Sequence, residues 1–148
     1  MKTLIVYHSE HHGNTKKLLD AIADPEEVTL VEAGDASKVD ASGYDLIGLA
    51  SGIYYQKFHK DVLNWAEQNL PQGKKVFFLY TCGVKRNGYL DAIEQVVVSK
   101  ASNIVGHYNC LGFDTFGPFK LVGGIAKGRP NEEDVTGFKE FFVGLHIG

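Results

Sequence analysis

The chain has 148 residues, of which 44% are hydrophobic and 22% are charged, and its formal net charge is −3. This length and composition predict one soluble domain over residues 1–148 that buries its core without disulfide bonds. The weak negative charge argues against a nucleic-acid partner. No apolar run approaches the ~20 residues that span a bilayer, and residues 1–10 lack the pattern of a signal peptide.

Five short apolar segments are predicted to be buried strands, and they cover residues 4–7, 28–31, 46–50, 76–80 and 104–111. Apolar residues at helical spacing follow in residues 16–23, 58–70, 90–97 and from about residue 131 onwards. The polar segment 32–42 is expected to be a connection with one helical turn. Alternating strands and helices predict a three-layer α/β/α doubly wound sandwich with a five-stranded parallel sheet in the order 2-1-3-4-5.

The loop between the first strand and the first helix has the composition of a phosphate site, and it reads Ser9-Glu10-His11-His12-Gly13-Asn14-Thr15. The N–H groups and the dipole at a helix start attract anions. Gly13 permits close backbone approach, while hydroxyl and amide side chains can add hydrogen bonds. The loop carries no Lys or Arg between residues 7 and 14, which argues against a nucleoside triphosphate.

Two further loops should lie beside the first. Ligands of doubly wound sheets bind beyond the carboxyl ends of the strands, where the strand order reverses between the first and third strands. The loop after the third strand reads Ser51-Gly52-Ile53-Tyr54-Tyr55, and the loop after the fourth begins Thr81-Cys82-Gly83 and leads to Tyr89. Tyrosine rings in these loops suit a flat ring system, which prefers offset stacking on aromatic faces.

With these three loops in this order, the sequence resembles the flavodoxin family over nearly the whole chain. The motifs that carry the resemblance are S-E-H-H-G-N-T, S-G-I-Y-Y and T-C-G. The second loop, together with Phe58 and His59, is also similar to that of flavodoxin-like protoporphyrinogen oxidases. The resemblance implies a flavodoxin-like fold and FMN, bound without a covalent link.

The resemblance also implies a role for each loop. The 5′-phosphate would be wrapped by Ser9, Glu10, His11, His12, Gly13, Asn14 and Thr15. One wall of the isoalloxazine site would be formed by Ser51, Gly52, Ile53, Tyr54 and Tyr55. Backbone donors to the pyrimidine edge would come from Thr81, Cys82 and Gly83, with Tyr89 as a candidate stacking ring.

The third loop departs from the usual family pattern because it is basic. Flavodoxins that carry low-potential electrons usually surround the flavin with acidic residues. Here Lys85 and Arg86 follow Gly83, and Lys57 follows the second loop. Positive charge stabilises an anionic reduced flavin, so we expect a less negative potential.

Several residues also have simpler interpretations. Ser9, Asn14 and Thr15 are common at helix starts, and Tyr54 and Tyr55 could seal the end of the sheet. The histidines His8, His11 and His12 are read as solvated loop residues in preference to a metal site, because no Cys or acidic partner has suitable spacing. Trp65 is assigned to the core.

The remaining candidates for a functional role are the two cysteines and the glycine-rich segment 112–130. Cys82 and Cys110 are expected to be reduced thiols of a cytoplasmic protein. Cys82 and Arg86 are not interpreted as a phosphatase site. Such enzymes use a Cys and an Arg separated by five residues soon after the first strand, whereas three residues separate this pair, after the fourth strand. In the long segment, Phe113, Phe116 and Phe119 either pack a satellite cluster or cover the flavin edge.

The predicted function is electron transfer by an FMN-binding protein that docks to redox partner proteins. The alternative is a small FMN-dependent oxidoreductase that acts on a quinone or another organic acceptor, and a third is a fold of this type that has lost its cofactor. No catalytic residue is assigned, and a monomer or weak dimer is expected.

Overall fold

The computed structural model describes residues 1–10, 13–113 and 124–147. Within these residues six strands are formed, namely β1 (Thr3–His8), β2 (Val28–Glu32), β3 (Leu46–Tyr54), β4 (Lys57–Phe58), β5 (Lys75–Cys82) and β6 (Asn103–Leu111). The α-helices are α1 (Asn14–Asp20), α2 (Lys60–Asn69), α3 (Asp91–Ser99) and α4 (Glu132–Ile147). Two 3₁₀ helices, Ala33–Lys38 and Ala41–Gly43, occupy the polar connection after β2.

The five long strands form a sheet in the order β2-β1-β3-β5-β6, with every neighbouring pair parallel. The predicted strand order and the α/β fold class are therefore confirmed. Strand β4, which the sequence pattern assigned to the start of the second helix, instead pairs antiparallel with β3. Tyr55 and Gln56 reverse the chain with φ angles of 51° and 70°, because a two-residue hairpin needs left-handed residues at its tip.

The sheet is covered on both faces, and alternate residues of its strands point to opposite layers. Leu4 and Val6 pack with helices α2 and α3, whereas Ile5 packs with α1 and α4. The assignment of Trp65 to the core is confirmed, since its ring is buried and its Nε1 donates a hydrogen bond to the carbonyl of Ala36 at 3.1 Å.

Three local features differ from the sequence prediction. Helix α1 ends at Asp20, three residues before the predicted end. The connection after β2 forms two short 3₁₀ helices instead of one helical turn. The pairing of β6 with β5 shifts register between Val76 and Phe77, opposite Gly106.

Cys82 and Cys110 are buried thiols, and burial raises the pKa of Cys110 to about 12. Such a thiol is protonated at neutral pH and therefore a poor nucleophile. Among the described residues, no helix combines the length and the apolar composition that a membrane crossing requires.

Candidate cofactor-binding site

The parallel register brings the ends of four strands to one edge of the sheet. His8 of β1 lies opposite Ser51 of β3, and Gly52 lies opposite Thr81 of β5. Cys82 of β5 lies opposite Leu111, the last residue of β6. The loops that follow these strands are therefore neighbours, as their positions in the chain predict.

These loops enclose a cleft. Eight of the predicted site residues line it, namely Glu10, Asn14, Gly52, Ile53, Tyr54, Thr81, Cys82 and Gly83. Gly112 and Phe113, from the loop after β6, complete the lining and were not among the predicted site residues. The cleft combines aromatic and aliphatic side chains with hydroxyl, amide and glycine groups. That composition suits a flat heteroaromatic ring that carries a polar tail.

Two side-chain hydrogen bonds fasten the first loop to its neighbours. The hydroxyls of Thr15 and Thr81 lie 3.0 Å apart in a buried contact. The Asn14 amide donates to the carbonyl of Phe113 at 2.7 Å. Gly112 makes the second contact possible, because a Cβ there would lie 2.5 Å from Nδ2 of Asn14. The first loop is thus fastened to the third loop and to the loop after β6.

Ser9 and Gly13 shape the first loop without lining the cleft. The Ser9 hydroxyl accepts a hydrogen bond from the backbone N–H of Lys16 at 3.2 Å, and Gly13 adopts a left-handed φ of 66° at the helix start. His11 and His12 lie outside the described residues. Helix α1 has only seven residues, so the site cannot depend on a long helix dipole and depends on the convergence of the loops.

The second loop divides into an inner and an outer part. The Ser51 hydroxyl donates to the carbonyl of Gly52 at 2.5 Å and accepts from the backbone N–H of His59 at 3.0 Å. Tyr54 is buried and lines the cleft. Tyr55 is 80% exposed at the hairpin tip and is not among the residues that line the cleft.

Tyr89, the candidate stacking ring, lies in the core and is not among the residues that line the cleft. It is only 6% exposed, and its ring packs edge-on against Tyr80 with centroids 5.8 Å apart. Its hydroxyl donates to the carbonyl of Val84 at 2.7 Å. Tyr89 therefore braces the third loop from beneath. Loop position alone could not separate a bracing ring from a stacking ring.

Comparison with known proteins places the chain in a family. Residues 4–100 match the model of a flavodoxin domain. The chain belongs to the flavodoxin family. A relative in Methanocaldococcus jannaschii, an uncharacterized protein, is 37% identical over 143 residues, which cover 95% of each chain.

Solved structures of flavodoxin-like proteins share the fold. The oxidised flavodoxin 2 of Bacillus cereus superposes with a TM-score of 0.69 at 23% identity, covering 97% of this chain and 96% of that one. The general stress protein 14 of Treponema denticola, solved in complex with FMN, gives 0.69 at 14% identity, covering 98% and 99%. These likenesses show the shared fold, and membership of the flavodoxin family supports the prediction of FMN.

Behind the cleft of this flavodoxin-family chain, two histidines stack face to face. The rings of His8 and His59 are 3.5 Å apart and inclined by 8°. Tyr54 meets both rings edge-on, at 5.6 Å and 4.9 Å. The prediction of a solvated His8 is wrong, because His8 ends a buried strand and is only 8% exposed. No sequence pattern indicated that His59 would cover His8.

Carboxylates flank the stacked pair. Nδ1 of His8 lies 3.1 Å from Glu32, and Nε2 lies 3.0 Å from Glu10. Although His8, Glu10 and His59 could bring three ligand atoms within 4.8 Å of one another, the stacking does not suit a metal. An ion shared by parallel rings 3.5 Å apart would lie far out of both ring planes, whereas metal–nitrogen bonds are ~2.0–2.1 Å long and in plane.

Burial and neighbouring charges shift the pKa values of His59 and Glu32 in this cluster. Burial lowers the pKa of His59, and the charge of His8 lowers it further. Nδ1 of His59 accepts the backbone N–H of Asp61 at 3.1 Å and so caps helix α2. Burial raises the pKa of Glu32, while His8 lowers it. Two positive rings in such contact would repel by about 4 kcal/mol at an effective dielectric constant of 20, which opposes a charge on His59.

Proposed function

We propose that this chain binds FMN in the cleft and transfers electrons between redox partners as a single cytoplasmic domain. The observation that carries the proposal is the convergence of the three flavodoxin-like loops on one cleft. The first loop is fastened to the third by the Thr15–Thr81 contact and to the loop after β6 by the Asn14–Phe113 contact. Membership of the flavodoxin family supports it. FMN, when bound, supplies the redox chemistry, and the protein tunes it through hydrogen bonds and charge.

Each part of the cleft has a proposed task. The first loop, including Glu10 and Asn14, holds the phosphate, with the undescribed His11 and His12 in the same loop. Gly52, Ile53 and Tyr54 form one wall of the ring site, and Phe113 is added as a second apolar contact. Backbone groups of Thr81, Cys82 and Gly83 face the pyrimidine edge. Exposed Tyr55 is assigned to the rim that a partner contacts.

A second candidate function is that of a small FMN-dependent oxidoreductase. The observation in its favour is the exposure of Lys57 on β4 and of Lys85 and Arg86 in the loop after β5, which suits an anionic co-substrate better than low-potential electron transfer. Turnover of a quinone with a nicotinamide donor separates the two functions. Measurable steady-state turnover supports the oxidoreductase, whereas single-equivalent exchange with a redox protein supports the carrier.

Flavin titration tests the binding proposal. The absorbance of the purified protein is recorded with added FMN and, separately, with riboflavin, which lacks the phosphate. We expect Thr15→Val to weaken FMN about tenfold and riboflavin less, because it removes a buried hydroxyl contact worth ~1–1.5 kcal/mol that positions the phosphate loop. The matched control is Thr29→Val on β2, at the far edge of the sheet from β5 and β6.

The variants also define what would contradict the proposal. Thr15→Ser keeps a hydroxyl and should retain most of the FMN affinity. Equal weakening of FMN and riboflavin by Thr15→Val would mean that this loop does not hold the phosphate. A wild-type protein that changes the spectrum of neither flavin would point to a flavodoxin fold without its cofactor.

A further inference from the structure

Two basic segments leave the cleft and are together called the basic rim. Residues 55–60 follow Tyr54 and residues 84–88 follow Gly83, and both Tyr54 and Gly83 line the cleft. The rim holds four of the chain's 15 Lys and Arg residues and none of its 18 acidic residues. Positive charge is therefore concentrated beside the cleft of a chain that is otherwise more acidic than its net charge of −3 suggests. The four cations, all exposed, are Lys57, Lys60, Lys85 and Arg86.

The cations of the basic rim are available to a partner. Elsewhere in the described chain, Lys16 pairs with Asp20 and Arg129 pairs with Asp134. No described carboxylate lies within the 4.0 Å of an ion pair from any of the four rim cations. Exposed charges without an internal counter-ion project their field towards an approaching molecule.

One buried aromatic cluster supports both segments of the rim. Phe58, which follows Lys57, is buried and meets the ring of Tyr80 edge-on at 6.2 Å. Tyr80 in turn meets Tyr89 edge-on at 5.8 Å, and the hydroxyl of Tyr89 donates to the carbonyl of Val84 at 2.7 Å. The hairpin and the third loop are therefore braced on the same rings. A partner meets a preformed surface, which lowers the entropic cost of docking.

The rim also presents apolar groups between its charges. Tyr55 is 80% exposed at the hairpin tip, and Val84 is 38% exposed at the start of the third loop. Lys57 and Lys60 continue the surface into a groove between α2 and α3 that Leu63 also lines. An exposed aromatic ring among cations is typical of protein–protein contacts, where Tyr and Arg are enriched. A surface of this extent and composition favours a protein over a small anion.

We propose that the basic rim docks an acidic redox protein over the mouth of the cleft. The cations steer the approach and face the carboxylates of the partner, and Tyr55 packs at the centre of the contact. The inference rests on the proposed electron-transfer function, to which it adds the sign of the partner's charge.

The test measures binding of two redox proteins of opposite charge to the FMN-loaded chain. The probes are a ferredoxin, an acidic iron–sulfur protein, and cytochrome c, a basic haem protein. Titration calorimetry is carried out at about 0.1 M and about 1 M salt, where the screening length is ~10 Å and ~3 Å. We expect the ferredoxin to bind more tightly than cytochrome c at the lower salt concentration and to lose affinity at the higher one.

Charge reversal locates the contact. Lys57→Glu combined with Lys85→Glu changes one cation in each segment and should weaken ferredoxin binding about tenfold, mainly through slower association. The matched control, Lys38→Glu combined with Lys75→Glu, changes the net charge equally at exposed positions that do not line the cleft. It should weaken binding by about twofold at most, because distant charges are screened.

Tyr55 is tested separately from the charges. Tyr55→Asn removes the ring while keeping a residue that tolerates the left-handed φ of 51° at this position. It should speed dissociation of the ferredoxin about tenfold at both salt concentrations, because a packed aromatic anchor acts mainly on the dissociation rate.

Three outcomes overturn the inference. They are tighter binding of cytochrome c, equal weakening by the rim pair and the control pair, and a rim pair that weakens NADPH but leaves the ferredoxin unaffected. The last result would assign the charges to a small anionic co-substrate. FMN absorbance and circular dichroism are recorded for every variant. If FMN binds while docking fails, FMN binding survives; if the wild type docks the ferredoxin but binds no FMN, the proposed function fails and the docking surface stands.

Discussion

His59 illustrates how much one side chain does at this site. It caps α2 through Nδ1, covers His8 with its ring face and meets Tyr54 edge-on. Its backbone N–H also donates to the hydroxyl of Ser51. A neutral ring satisfies all of these contacts, because protonation at Nδ1 would remove the acceptor of the helix cap. The lowered pKa of His59 is consistent with this requirement.

The lowered pKa of His59 predicts a pH dependence of stability. The unfolded chain binds the proton at an ordinary pKa of 6.5 and the folded chain only at lower pH. The free energy of unfolding should therefore fall as pH drops below about 6.5 towards the folded pKa. Urea denaturation at a series of pH values measures it. His59→Asn keeps a capping side chain and should flatten this part of the curve.

Exposed His107 on β6 provides the matched substitution. His107→Asn should leave the slope below pH 6.5 as in the wild type. A His59→Asn curve parallel to the wild-type curve would show that the folded structure does not hold His59 neutral.

At the scale of an element, helix α4 begins with a reciprocal cap. The Asn131 side chain accepts the N–H of Asp134 at 3.0 Å, and the Asp134 carboxylate accepts the N–H of Asn131 at 2.8 Å. Arg129 donates two further hydrogen bonds to the same carboxylate, at 2.6 Å and 2.7 Å. The hydroxyl of Tyr108 on β6 donates to the carbonyl of Asp134 at 3.0 Å. This cap fixes α4 to the sheet beside the long loop after β6.

Asp134→Asn should lower the free energy of unfolding by about 2–3 kcal/mol, because it leaves a half-buried guanidinium without its charge partner. Arg129 lowers the pKa of Asp134. The wild-type stability from this contact is therefore present above the ordinary pKa of 3.8 and lost as pH falls through the lower folded value. Denaturant unfolding at pH 7 and at pH 3 measures both effects.

The control variant is Glu133→Gln, at an exposed position in the same first turn of α4. It tests whether the loss of any negative charge near the helix start lowers the free energy of unfolding equally. It should cost only a few tenths of a kcal/mol through the helix dipole. Equal losses in the two variants would contradict a specific role for the Arg129–Asp134 contact.

For the whole molecule, the distribution of charge matters more than its sum. The net charge is −3, yet Lys57 on β4 and Lys85 and Arg86 in the loop after β5 are exposed at the cleft edge of the sheet. Charges at a cleft act on what binds there, whereas distant charges are screened over ~8–10 Å. The basic loops are therefore expected to set the potential of bound FMN.

Lys85→Glu combined with Arg86→Glu should make the potential of bound FMN more negative, by roughly tens of millivolts, since each exposed charge contributes a fraction of a kcal/mol. Anaerobic redox titration with indicator dyes measures the change. Lys38→Glu combined with Lys75→Glu changes the net charge equally. Exposed Lys38 ends the 3₁₀ helix after β2 and exposed Lys75 begins β5, and neither lines the cleft. The idea fails if both pairs shift the potential alike.

The sequence supported the fold and most of the cleft lining. Eight predicted residues line the cleft, because strand order and chain order together determine which loops share an edge of a parallel sheet. Gly112 and Phe113 were not predicted, because their role depends on contact with Asn14, which lies 99 residues before Phe113 in the chain. Strand β4 was not predicted, because Phe58 at its end also fits the apolar spacing of the helix that follows.

The first loop shows which properties follow from the sequence alone and which depend on the tertiary structure. The sequence by itself determined that a loop of hydroxyl, amide and glycine residues without Lys or Arg follows the first strand, because composition and periodicity are local properties. Only the tertiary structure decided that His8 is buried, stacked on His59 and opposed by Glu10. The physical reason is that burial and charge pairing depend on residues brought together by the sheet from 51 positions apart in the chain.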